Sequence, residues 1–143
     1  MKIEIDLRAT QICPDIHLEI RFDDQCVANL TAIDTIQTVT LSLSDSAQEH
    51  VLQLVMQGKN KTHTRLDDQG QILDDVAFLI ERLEFEDLDM RPIFCQGLCC
   101  YTHNGNGTLQ EFLDEFYGYM GCNGRVEMRF TTPIFLWLAD QVD

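Results

Sequence analysis

Positive charge is scarce in this chain: ten Lys and Arg stand against 24 Asp and Glu, for a formal net charge of −14. A nucleic-acid partner needs a basic footprint that displaces counterions, and none is present. Anionic membrane surfaces are disfavoured on the same ground, whereas a basic protein surface suits this charge. Long hydrophobic runs are missing too. The longest, "PIFLWLA", is far too short to span a bilayer. The first ten residues, "MKIEIDLRAT", place Glu4 and Asp6 where a signal peptide carries its apolar stretch. The chain is therefore expected to fold in the compartment where it is made, without a membrane. Asn-x-Ser/Thr sequons at Asn29, Asn60 and Asn106 are then coincidental.

Catalytic signatures are absent as well. There is no Walker loop, nucleophile elbow, dinucleotide fingerprint or zincin helix. The four histidines, His17, His50, His63 and His103, are scattered over separate segments. No enzymatic constellation is recognisable, and the chain is expected not to be an enzyme.

What the sequence has is alternation. Ile3, Ile5 and Leu7 share one face of "KIEIDL", and Ile16, Leu18, Ile20 and Phe22 share one face of "IHLEIRF". Val39, Leu41 and Leu43, then Leu52, Leu54 and Met56, then Val126, Met128 and Phe130 repeat the pattern. Period two describes half-buried antiparallel strands, each with one face on a core. Turn-rich stretches such as "FDDQC", "SDSAQ" and "DDQGQ" separate them. "VAFLIERLEFEDLDM" fits both periods, and its aromatic and branched content favours a strand over Ile80 to Leu88. "TPIFLWLAD" reads as a final strand.

"TLQEFLDEFYG" departs from the pattern. Leu109, Phe112, Leu113 and Phe116 fall at helical spacing, Thr108 and Glu111 make a capping box, and Gly118 can end the helix. The expectation is a mainly β, antiparallel jelly-roll-like β-sandwich with one short helix at about 109–117, in a single domain spanning residues 1–143.

Four sets of residues are candidates for chemistry. The six cysteines are Cys13, Cys26, Cys95, Cys99, Cys100 and Cys122. Buried free thiols are favoured over a disulfide framework or a zinc set of Cys95, Cys99, Cys100 and Cys122 with His103, because C-x3-C-C is not knuckle spacing. Cys122 lies within "GYMGCNGRVEMRF", which reads as architecture, with Asn123-Gly124 supplying the positive backbone angles of a tight turn. Asp67, Asp68, Asp74 and Asp75 of "RLDDQGQILDD" are candidate calcium ligands, although the stretch fails the EF-hand pattern and reads first as a solvated turn. Tyr101, Tyr119 and Trp137, with Tyr117, are candidates for stacking on a sugar ring, against a core or interface role.

A further reading comes from similarity. The "GK…HT…D..G.I..D" stretch from Gly58, the acidic "LEFEDLD", and "FYG.MGCNG" leading into "TTPIFLWL" resemble small virion-associated proteins of tailed phages, particularly those infecting cyanobacteria. The strand with an acidic end also looks like jelly-roll carbohydrate-binding modules. The resemblance implies a non-enzymatic virion component, a capsid decoration or a tail or fibre module, made in a host cytoplasm. It would form a homo-oligomer or dock on other virion proteins. The alternative is a carbohydrate-binding module for host-surface glycans, with calcium as the only cofactor in view. A docking module should show an apolar patch around Phe94, Leu98 and Phe135, and a glycan binder a cleft with an aromatic platform beside acids.

Overall fold

The computed structural model describes residues 1–33, 35–95, 100–103 and 112–141. Among them the chain runs through β1 (Lys2–Ala9), β2 (Cys13–Phe22), β3 (Gln25–Ala32), β4 (Gln37–Ser42) and β5 (Gln48–Gln57). A 3-10 turn (Lys61–His63) leads to β6 (Thr64–Leu66), β7 (Ile72–Asp75), β8 (Phe78–Phe85) and β9 (Leu88–Asp89). Helix α1 (Arg91–Phe94), β10 (Cys100–His103), β11 (Phe112–Glu115), β12 (Tyr119–Met120), β13 (Gly124–Thr132) and helix α2 (Ile134–Gln141) complete the order.

The strands form two main antiparallel sheets. One is ordered β12-β8-β1-β4, with β9 folded back on β8, and the other β11-β10-β13-β5-β2-β3; β6 and β7 pair as a separate hairpin. Alternation along each strand turns one set of side chains inward. Ile3, Ile5 and Leu7 of β1 meet Ile16, Leu18 and Ile20 of β2, Leu52, Leu54 and Met56 of β5, and Val126, Met128 and Phe130 of β13 in a single buried cluster. Phe85 of one sheet packs edge-on against Phe130 of the other at 4.8 Å between ring centroids. Each such buried ring contributes about 1.5–3 kcal/mol over an exposed one, so the shared cluster holds the two sheets together. The result is the expected mainly β sandwich.

Three local expectations are corrected. Phe112–Glu115 is a strand, not part of a helix over 109–117. Residues 109–111, with Thr108 and Glu111 of the capping box, lie outside the described residues. The strand forms because β11 pairs along the edge of β10, Leu113 opposite Thr102, while Phe116 is buried beyond it. Pairing overrides the helical spacing and leaves Leu113 71% exposed.

The second correction is the final strand, which is helix α2. It starts directly after Pro133, whose fixed φ suits a helix entry. Ile134 is buried and Trp137 and Leu138 are partly buried, a stripe at helical spacing, with Phe135 and Leu136 exposed. The third is the strand expected over Ile80 to Leu88. Glu86 and Asp87 take φ of 50° and 66°, and this tight turn splits the segment into β8 and β9.

Candidate functional site

At one end of the sandwich, β10, β11 and the segment leading into β12 enclose a groove of about 460 Å³, lined by Tyr101, Asp114, Glu115, Tyr117 and Tyr119. The register of β10 and β11 sets Tyr101 opposite Asp114. Tyr119 is brought in from the other sheet, where β12 pairs with β8 and places it opposite Leu79. The groove therefore spans the edge between the two sheets.

Its aromatic members differ in role. Tyr101 is the floor: only 6% exposed, it packs against Phe116 edge-on at 6.0 Å and against the His103 ring at 4.8 Å. Its hydroxyl donates to the Cys122 carbonyl at 2.7 Å and accepts the Cys122 N–H at 3.0 Å. Burial pushes this phenol well above the usual tyrosine range. Tyr117 and Tyr119 are the walls, 63% and 45% exposed. The Tyr117 hydroxyl donates to Glu115 Oε2 at 2.5 Å, which raises its pKa. Tyr119 is raised mainly by burial and next by the charge of Asp75 nearby.

The carboxylates are held in place as well. Asp114 Oδ2 pairs with His103 Nε2, and Glu115 is fixed by Tyr117. Tyrosine faces beside anchored carboxylate acceptors can stack on the C–H face of a ring and accept hydrogen bonds from its hydroxyls.

The segment Gly118–Gly124 carries Tyr119 into the groove, and its glycines serve geometry. Neither Asn123 nor Gly124 has a positive φ, which corrects the expected tight turn; Gly118 does, at 86°, though it follows a strand. Gly124 starts β13 where a Cβ would sit 2.1 Å from the Thr102 carbonyl oxygen, so no side chain fits. The Cys122 peptide is in the grip of Tyr101. Lys59 ties the segment to the hairpin. Its buried ammonium meets Asp75 Oδ1 at 2.5 Å and the Gly121 carbonyl, while its backbone exchanges two hydrogen bonds with the Asn123 amide.

Of the three expected stacking residues, Tyr101 and Tyr119 share the groove. Trp137 does not. It stacks on Phe94 at 5.7 Å and borders a separate cleft of about 230 Å³ with Ile93, Glu127, Arg129 and Gln141. Asp114 and Glu115 went unrecognised in the sequence because the expected helix carried them. The strand register that aligns Asp114 with Tyr101 is the signal that finds them.

The expected calcium set does not gather. Asp67 Oδ1 accepts the turn amides of Gln69 and Gln71, at 2.9 and 2.8 Å. Asp74 pairs with Arg65 at 2.7 Å, Asp75 with Lys59 and Thr64, and Asp68 is exposed in the turn. Cations and amides engage one oxygen each of Asp67, Asp74 and Asp75, and no three of these aspartates bring ligand atoms within 4.8 Å of one another. The imagined zinc set fares similarly. Cys99 lies outside the described residues, and Cys95, Cys100, Cys122 and His103 form no such group. Cys95 is a thiol pushed up to about 11 by burial. Among the described residues Cys13, Cys26, Cys95 and Cys100 are free thiols.

No protein-family model and no curated protein matches the chain. Two solved structures are similar to it in fold. One, vCBM60 in complex with galactobiose, aligns at a TM-score of 0.52 and 12% identity, over 89% of this chain and 96% of that one. The other is a selenomethionine form of vCBM60, described with calcium-dependent carbohydrate binding modules, at a TM-score of 0.48 and 12% identity over 88% and 87%. The chain shares the sandwich fold of a carbohydrate-binding module. At this identity the likeness establishes architecture, and function has to be argued from the groove.

Proposed function

We propose that this protein is a non-enzymatic glycan-binding module whose ligand lies in the groove of Tyr101, Asp114, Glu115, Tyr117 and Tyr119. The observation that carries the reading is the pair of exposed tyrosine walls flanking two anchored carboxylates. A sugar offers the matching chemistry, an apolar face for the rings and hydroxyl donors for the acids. The similar fold of vCBM60, which holds galactobiose, supports a neutral disaccharide as the first ligand class to try. A net charge of −14 favours neutral or amino sugars over anionic polysaccharides.

The test is a glycan array probed with the labelled protein, followed by calorimetric titration of galactobiose and of each hit. Binding of a neutral or amino glycan that is weakened by Tyr117 and Tyr119 substitutions supports the proposal. No retention of any such glycan overturns it.

A second reading is favoured by one feature of α2. Phe135 and Leu136 are 61% and 68% exposed beside the Trp137 cleft, the kind of apolar surface by which a virion module would dock on a neighbour or on its own copies. Phe94, expected in that patch, is buried beneath Trp137, and Leu98 lies outside the described residues. Light scattering during size-exclusion chromatography checks it: a monomer at all concentrations removes the homo-oligomer.

A further inference from the structure

We propose that Cys13, Asp15 and His63 form a binding site for a divalent metal ion of the zinc class, separate from the groove and from the cysteines near Cys95. These three side chains bring one ligand atom each, a sulfur, a carboxylate oxygen and an imidazole nitrogen, all within 4.8 Å of one another. They come from two segments that only the fold unites.

The convergence is built into the backbone. β2 pairs with β3 through Cys13 opposite Ala32, then slips, and pairing resumes with His17 opposite Thr31. Pro14, Asp15 and Ile16 therefore bulge out of the ladder, and Asp15 is exposed. On the far side, Gly58 follows β5 with φ of 94°, and a Cβ there would lie 2.0 Å from the Asp15 carbonyl oxygen. Only glycine permits that approach, which presses the following turn against the bulge. His63 closes this turn, its N–H donating to the Asn60 carbonyl at 3.1 Å.

The donor set indicates the metal. Zinc is bound by sulfur at about 2.3 Å and by nitrogen or oxygen at about 2.0–2.2 Å, so its ligand atoms lie roughly 3.3–3.8 Å apart. From within 4.8 Å, side-chain rotation of Asp15 and His63 by about an ångström closes the set. Calcium and magnesium prefer oxygen alone, whereas a mixed sulfur, nitrogen and oxygen set suits zinc or cobalt. Cys13 is 9% exposed and forms the inner wall, and the exposed Asp15 side leaves a fourth position for water.

Loading has a defined proton cost. The Cys13 thiol must release its proton to solvent to ligate as thiolate, so binding tightens as pH rises. His63 Nδ1 now accepts the Asn60 N–H at 3.0 Å. Ligation through Nδ1 takes that lone pair, and ligation through Nε2 moves the ring proton to Nδ1. In either case the exposed Asn60 amide turns to water, which can replace the lost acceptor. The ion would pin the 58–63 turn, and with it Lys59, whose ammonium reaches Gly121.

Cobalt(II) titration of metal-free protein tests this. One equivalent should produce the near-ultraviolet thiolate-to-cobalt charge-transfer band and intense tetrahedral d–d bands, both displaced by zinc. Cys13→Ser should abolish the charge-transfer band, and His63→Gln should weaken cobalt binding at least about tenfold. Cys26→Ser and Cys100→Ser should leave both unchanged. Melting in chelator, where His63→Gln and the parent protein should coincide, separates lost ligation from lost folding. No band at equimolar cobalt, or a band that survives Cys13→Ser, overturns the proposal. It stands or falls independently of glycan binding.

Discussion

The Tyr101 hydroxyl grips the Cys122 peptide from both sides, donating to its carbonyl at 2.7 Å and accepting its N–H at 3.0 Å across 21 residues of sequence. This clamp fixes the segment that carries Tyr119 relative to β10. Tyr101→Phe leaves both peptide groups without that partner and is expected to cost about 1–3 kcal/mol in urea unfolding. Cys122→Ala, which keeps the peptide, should cost less. A larger loss from Cys122→Ala would show that the thiol, not the backbone, matters at this position.

Lys59 and Asp75 form the second tie, with the lysine side chain fully buried. Lys59→Met strands a partly buried carboxylate and is expected to destabilise the fold by about 3–5 kcal/mol. Lys59→Met combined with Asp75→Val should recover part of that loss, measured in the same unfolding series. Because Asp75 is engaged in this way and Asp74 by Arg65, millimolar calcium should leave the melting temperature unchanged. A calcium shift reversed by chelator and lost in Asp68→Asn would restore the hairpin as a site.

Groove recognition should be carried by the two exposed rings. Tyr117→Ala and Tyr119→Ala are each expected to weaken glycan affinity by about ten- to a hundredfold, the scale of a binding hot spot, with little change in stability. Trp137→Phe should leave affinity unchanged, because its ring belongs to the cleft beside Phe94. Calorimetric titration of the best array hit reads all three.

Acid sensitivity follows from the cluster on β1 and β8. The Arg82 guanidinium, followed by the Thr38 hydroxyl, holds the Asp6 carboxyl below the usual range, and Lys2, followed by Arg82, does the same for Glu4. Depressed carboxylates contribute stability that is present above their unfolded values near pH 4. It is lost as pH falls through their folded values. Unfolding free energy should therefore drop between about pH 5 and pH 2, and Asp6→Asn should flatten that acid limb relative to the parent. An unchanged slope in the variant would remove Asp6 from the account.

The sandwich itself was legible in the sequence. Side chains on a strand alternate by local geometry, so Ile3, Ile5 and Leu7, or Val126, Met128 and Phe130, announce a buried face without reference to any neighbour. The tight turns at Asp23-Asp24 and Glu86-Asp87, all with positive φ, rest on tertiary pairing more than on residue type, since aspartate and glutamate only tolerate that conformation. Phe112–Glu115 and Ile134–Gln141 exchanged their expected states for related reasons. The first was captured by the edge of β10, and the second carried an apolar run that suits either period until Pro133 and the core below it decide.

Composition thus determined the acidic surface, and alternation determined the β core. Which side chains meet was decided only by the tertiary structure. Tyr101 and Tyr119 face one groove because β10 and β12 belong to different sheets that end at the same edge. Cys13, Asp15 and His63 meet because a slipped ladder and a glycine-tight turn abut. Periodicity is a property of a few neighbouring residues, whereas convergence depends on strand order and register, which no short stretch of sequence contains.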